Sequence, residues 1–393
     1  MRVPAEPLSL RSVLAELDTR GLRRHRRTVR RGEPATADVE LDGRHCVDFC
    51  SNDYLGLAAH PQVIEAFIDA ARMHGVGARA SHLITGHQSE HDALERELAA
   101  YTGRERAIVF STGYMANLGL VGTLAGRGAT VFGDRLNHAS LIDGGRLSGA
   151  TLHRFPHGDV ATLEQQLAAQ QSGPALVLTD GVFSMDGDLA PLPALAAACA
   201  KHGAQLAVDD AHGLGVIGET GRGTLEHFRL SPADVPALVG TLGKAFGTFG
   251  AFVAGSEDLI ETLVQRARTY IYTTALPPAV AAATRAALSV SMAERWRRER
   301  VLALTRRFRE LARAARLPLA DSATPIQPIL LGSADAAVQA SLALLERGFF
   351  VAAIRPPTVP ADTSRLRVTL SAAHRDADVE ALVAALANIV SPE

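Results

Sequence analysis

From about residue 62 onward, apolar residues at helical spacing alternate with short β-branched runs bounded by glycine. That alternation predicts a mainly parallel sheet with helices on both faces. The runs 106–111, 129–132, 151–155, 175–179, 205–209, 238–242 and 251–254 read as its strands. Pro277-Pro278 opens a long Ala/Arg-rich helical stretch to about Arg316, after which 326–331, 349–353 and 366–370 predict the strands of a smaller α+β unit. The first 44 residues are polar and basic and precede any clear apolar pattern, so they read as an arm or helix. The expected division is an arm over 1–45, a large α/β domain over 46–276, and a linking helix with a small C-terminal α+β domain over 277–393.

Composition narrows the classes. The chain has 393 residues, 47% hydrophobic and 21% charged, with a formal net charge of −2, which excludes a disordered or fibrous protein and gives no general pull towards nucleic acid. Cys46, Cys50 and Cys199 form neither a disulfide framework nor a zinc-type pair, so a reducing, cytoplasmic location is expected. No apolar window is long and uncharged enough for a membrane span, and no apolar leader core precedes the first arginines; membrane insertion and secretion are not expected.

Among 40 basic residues only Lys201 and Lys244 are lysine. Arginine can neither form an imine nor lose its proton at working pH, so each surviving lysine invites a chemical reading. Lys201, in Ala-Cys-Ala-Lys-His-Gly, reads as a cation at a helix C-terminus. Lys244 lies in Gly240-Thr241-Leu242-Gly243-Lys244-Ala245-Phe246-Gly247, where glycines admit a flat ligand and the amine can form an imine. The phosphate-loop pattern fails there, because Leu238 and Ala245 occupy its first glycine and its hydroxyl position. Gly75-Val76-Gly77 follows a helical pattern rather than a strand and is no dinucleotide loop.

Ligands of open α/β sheets sit beyond the C-terminal ends of the strands. Past the first predicted strand, Ser111-Thr112-Gly113-Tyr114 opens a helix, which is either a plain N-cap or a phosphate cradle. The run 205–209 leads into Asp209-Asp210-Ala211-His212-Gly213, two carboxylates and an imidazole that could pair with a protonated heterocycle. Metal ligation is the rival reading, but neither a HExxH pattern nor a cysteine pair accompanies the cluster, and no metal is expected. Phosphate cradle, acid, histidine and imine lysine together describe pyridoxal 5′-phosphate better than another common cofactor.

The ordered motifs Ser51-Asn52-Asp53-Tyr54-Leu55-Gly56, Gly113-Tyr114-Met115-Ala116-Asn117, His138-Ala139-Ser140, Asp180-Gly181-Val182-Phe183-Ser184-Met185-Asp186-Gly187, Asp209-Asp210-Ala211-His212-Gly213 and Thr241-Leu242-Gly243-Lys244 resemble the α-oxoamine synthases. The resemblance implies a fold-type I pyridoxal phosphate-dependent transferase, aspartate aminotransferase-like, that joins an amino acid to an acyl thioester with loss of carbon dioxide. Ile354-Arg355-Pro356-Pro357-Thr358-Val359-Pro360 is similar to the branch that couples L-alanine to a pimeloyl thioester in biotin synthesis. A sister synthase using glycine or serine with another acyl-CoA is the alternative.

The same resemblance implies residue roles. Lys244 would carry the cofactor and act as base, Asp209 would pair with the pyridinium nitrogen, His138 would stack on the ring, and His212 and Ser184 would reach its phenolic oxygen. Gly113, Tyr114 and Thr241 would bind the phosphate, joined by Thr273 or Thr274 from a second subunit; the plain alternative for those two is polar residues ahead of a helix. Arg355 would clamp the amino-acid carboxylate near Asn52, while Thr358 and Arg23 would face the acyl donor. The arginine run 23–31 reads as a solvated face, a nucleic-acid patch or a rim for coenzyme A or a carrier protein, and the lack of interleaved aromatics disfavours nucleic acid. Ala78-Arg79-Ala80-Ser81-His82 departs from the small residues usual in the family, in a loop expected to face the site across a homodimer.

Overall fold

Seven strands build the central sheet of the computed structural model, which describes residues 9–34, 36–170 and 172–390. Their order across the sheet is Arg106–Phe110, Ala251–Gly255, Ala237–Thr241, Gln205–Asp209, Ala175–Asp180, Thr130–Asp134 and Thr151–Phe155. All point the same way except Ala251–Gly255, which is antiparallel to both neighbours. The exception has a simple cause. Only residues 242–250 join Ala237–Thr241 to Ala251–Gly255, too few for the crossover a parallel return needs. The link is therefore a tight loop, closed by Leu242 N–H to Gly250 O (2.9 Å) and Thr248 N–H to Leu242 O (3.0 Å), and it carries Lys244.

The inner strands are buried on both faces, as helices on both sides require. Helix Gly113–Leu124 starts where the Thr112 hydroxyl accepts the Met115 N–H at 3.2 Å. Helix Leu192–His202 ends at Gly203 with φ 66°, and Lys201 in its last turn pairs with Glu164 at 3.2 Å, the ordinary surface role expected of that lysine.

The C-terminal part holds an antiparallel sheet in the order Ile326–Gly332, Ser364–Thr369, Ala352–Ile354, packed with helices Ala334–Glu346 and Asp376–Val390. Two expectations need correction here. The helical stretch opened by Pro277-Pro278 is two helices, Pro278–Ala293 and Trp296–Ala314, with the break at Glu294. The expected strand 349–353 divides at the buried Val351: Phe349–Phe350 pairs with Arg44–Asp48 and Ala352–Ile354 with Ser364–Thr369.

The N-terminal arm is also more structured than its polarity suggests. Helix Leu10–Thr19 is followed by strands Val29–Arg31, Asp38–Leu41 and Arg44–Asp48, the last of which runs through residue 45, while residues 1–8 of the expected arm lie outside the described residues. Only Val39, Leu41 and Cys46 of these strands are buried, so their apolar signal is too thin to read locally. Among the described residues, no helix is long and apolar enough to cross a membrane.

Candidate active site

Parallel strands end in acids on one side of the sheet. Asp180 and Asp209 are register partners in neighbouring strands, and both are buried. Side chains at such positions share a face and lie close together, so two charges there repel. Burial, with the Asp209 charge beside it, pushes the Asp180 carboxyl well above the usual range. Asp209 is held at both oxygens: Oδ2 accepts from Asn117 Nδ2 at 2.6 Å and Oδ1 from the Ala211 N–H at 3.0 Å. Asn117 Nδ2 also donates to Ser140 Oγ at 2.8 Å, and Ser140 Oγ lies 2.7 Å from His138 Nδ1. The His138 N–H donates to Asp180 Oδ2 at 2.7 Å, so a closed set of contacts ties the helix, both strand ends and the histidine together. Lys244 lies against this set. Burial lowers its amine pKa, and the Asp209 and Asp180 charges oppose that shift.

His212 forms a second wall. Its Nδ1 is 2.6 Å from the Tyr54 hydroxyl, whose pKa burial pushes up to about 12. Burial, then the Lys244 and Arg367 charges, hold the imidazole well below its ordinary pKa, so it is neutral at physiological pH. The neutral ring engages Tyr54 through Nδ1, and its other nitrogen, Nε2, is left for a ligand. Asp210 faces away, as strand alternation requires of the next residue. Its Oδ2 accepts the Thr224 N–H at 2.7 Å, and a Cβ added to Gly181, Gly213 or Gly223 would strike its carboxylate. The expected three-group cluster is thus two groups at the site and one structural acid.

Arg367, absent from the sequence-based set, stands beside His212. Its guanidinium is buried and donates to Ser184 O (2.6 Å), Asn52 Oδ1 (3.2 and 3.3 Å) and Thr369 Oγ1 (2.8 Å). All these partners are neutral, and among the described residues no carboxylate lies within ion-pairing distance of it. Arginine within the alternating Arg365-Leu366-Arg367-Val368 of a fully buried strand was the available signal. Asn117, a buried amide in a mostly apolar helix, was another.

The remaining expected residues divide. As first-turn residues, Gly113 and Tyr114 carry N–H groups with no intrahelical acceptor, which an anion cradle needs. Thr241 Oγ1 donates to Gly250 O at 3.2 Å, on the loop that holds Lys244. Thr273 donates to Thr269 O at 2.9 Å and Thr274 is exposed, and no contact within the chain brings either to Gly113 or Thr241. Arg355 donates to the main-chain oxygens of Gly21 and Arg23, so it fastens the arm and is not brought to Asn52. Arg23 pairs with Asp18 at 2.6 Å on the surface, and Arg24 reaches Thr358 Oγ1 at 3.5 Å. His82 stacks on Tyr270 and packs with His87 and His91 inside the chain. A cavity of about 860 Å³ is lined by His138, Ser184 and Thr358 together with Arg135 and Arg154.

A family model for class I and II aminotransferases matches residues 44–386. The chain belongs to that family. Within it, the chain is 59% identical over 382 residues to the 8-amino-7-oxononanoate synthase of Methylococcus capsulatus, covering 97% of this chain and 98% of that relative. A lysine-to-alanine variant of serine palmitoyltransferase from S. paucimobilis, solved with bound PLP-myriocin aldimine, superposes with a TM-score of 0.91 at 32% identity, over 97% of this chain and 96% of that one. The 8-amino-7-oxononanoate synthase from Francisella tularensis superposes with a TM-score of 0.77 at 33% identity, over 87% and 97%. The family's fold, a large parallel-rich sheet with a C-terminal α+β part, is the expected one. The donor set also fits pyridoxal phosphate: a desolvated amine, a carboxylate fixed at both oxygens, a neutral imidazole and a helix N-terminus open to an anion.

Proposed function

We propose that this chain is an acyltransferase that joins L-alanine to a pimeloyl thioester, releasing carbon dioxide and free thiol and giving 8-amino-7-oxononanoate, a step of biotin synthesis. The observation that carries the reading is the 59% identity to a synthase of that name along nearly the whole of both chains, with Lys244 set against Asp209 at the strand ends. A serine-using sister is the second reading, because the fold superposes so closely on serine palmitoyltransferase, but the identity there is only 32%.

Pyridoxal phosphate, when bound, supplies the electron sink for the carbanion formed at the amino acid's α-carbon and again on decarboxylation. Lys244 would hold the cofactor through Nζ and would take up and return the α-proton at that atom; its lowered pKa suits a base that must be neutral part of the time. Asp209 keeps a pyridinium proton in place because Asn117 and Ala211 fix both its oxygens. His138, held by Ser140, would offer a ring face to the cofactor, and His212 and Ser184 would hydrogen-bond its phenolic oxygen. Gly113, Tyr114 and Thr241 receive the phosphate, with Thr273 or Thr274 supplied by a second subunit of a homodimer. Arg367, a buried cation without a counter-ion, receives the alanine carboxylate as a planar fork beside Asn52.

The test is product analysis of the purified, cofactor-loaded protein given L-alanine, glycine or L-serine against a panel of acyl thioesters. Release of 8-amino-7-oxononanoate, preferentially from alanine and a pimeloyl thioester, is the expected result. Condensation only with serine or glycine and a different acyl chain would move the chain to the sister reading.

A further inference from the structure

Beside the cavity, two guanidiniums lack the counter-ions that surround them. The nearby carboxylates pair elsewhere: Asp134 and Asp188 hold His157 from either side (3.1 and 2.9 Å), Asp186 holds Arg365, and Asp143 takes Arg146 (3.5 Å) and the Tyr114 hydroxyl. Arg135 and Arg154 line the same cavity, and among the described residues neither has a carboxylate within ion-pairing distance. Arg154 donates to the Arg135 main-chain oxygen, yet its Nε is buried with no acceptor. Arg24 reaches Thr358, another residue of the lining, at 3.5 Å, and among the described residues it has no acid partner. Cations gathered at a partly desolvated mouth repel one another and cost free energy unless an anion joins them. Burial first, and then the charges of Arg146 and Arg135, lower the Arg154 pKa, against the opposing Asp134 charge.

The geometry points to an anion subsite formed by Arg135 and Arg154, faced by Arg24, that receives the phosphate of a phosphopantetheine arm while the thioester lies deeper, towards His138. This deepens the acyl-thioester reading above and rests on it. The shared chemistry is a phosphate ester on pantetheine, whether it continues into coenzyme A or into a carrier protein. The fork of each guanidinium matches phosphate oxygens, and the orphaned Nε–H of Arg154 finds an acceptor.

The experiment is calorimetric binding of 4′-phosphopantetheine, pantetheine and free coenzyme A to the cofactor-loaded protein and to Arg135→Gln, Arg154→Gln and Arg154→Lys. These readings need no turnover, so they stand even if the proposed reaction is wrong. Arg135 is exposed, so its variant tests the subsite without disturbing the core. The expected result is a rise of about tenfold in Kd for 4′-phosphopantetheine and coenzyme A in both glutamine variants, with pantetheine unchanged and Arg154→Lys partly restored. In the kinetic arm, pimeloyl-CoA and a pimeloyl carrier protein should both show a raised KM at unchanged KM for alanine; a change confined to one of them would identify the source of the phosphate. Equal losses for pantetheine and its phosphate, or no loss for either phosphate-bearing ligand, would overturn the subsite.

Discussion

Asp180 and Asp209 stand opposite each other in adjacent parallel strands, and only one of them has its oxygens secured by an amide and a main-chain N–H. The pair therefore divides its work: Asp209 is oriented towards a ligand cation, and Asp180 fastens the His138 main chain. Because the folded-state pKa of Asp180 lies above that of the unfolded chain, the folded protein binds this proton more tightly. Its contribution to stability is present at low pH and is lost as pH rises through the raised value. Asp180→Asn keeps the acceptor for His138 and removes the titration. The thermal midpoint of the variant, followed from pH 5 to 8.5, should fall less with rising pH than that of the parent; parallel curves would contradict the assignment.

Asn117 is the link from Asp209 to Ser140 and His138. Asn117→Ala removes a hydrogen bond to an ionised group, a loss of about 1.5–3 kcal/mol. The expectation is a cofactor Kd raised at least tenfold, by roughly 1.4 kcal/mol or more, with the fold retained by circular dichroism. Unchanged cofactor affinity would separate Asn117 from the site.

Lys244→Ala should fold and retain cofactor only by its non-covalent contacts. Borohydride reduction of the loaded parent, followed by peptide mass mapping, should place the cofactor mass on the peptide containing Lys244 and leave the variant unlabelled. Label on the surface lysine Lys201 instead would refute the role given to Lys244.

Arg355 and Arg367 make opposite predictions. Arg367→Lys keeps the charge and loses the planar fork, so the KM for alanine should rise by one to two orders of magnitude, on the order of 1–3 kcal/mol, with little change in the KM for the thioester. Arg355→Ala frees the main chain at Gly21 and Arg23, so proteolysis of the arm should accelerate while alanine KM stays near that of the parent. A reversed pattern would return the carboxylate clamp to Arg355.

The sequence by itself determined the layered α/β core and singled out Lys244 as the candidate amine. Strands buried on both faces must be nearly continuous apolar runs, and the breaks between them show without any contact information. One of only two lysines, set between glycines in an arginine-rich chain, stands out for the same local reason, and Asp209, His138 and His212 follow it at strand ends. Tertiary structure alone decided which polar groups meet. Arg355 and Arg367 lie twelve residues apart and both precede apolar stretches, yet the turn after Ile354 leaves one against the arm and returns the other, inside Ser364–Thr369, to Asn52 and Ser184. Asp210 likewise leaves the site because strand alternation turns it towards Thr224 and three glycines. Side-chain direction and long-range pairing depend on register and packing between distant segments, and no local pattern of residues encodes them.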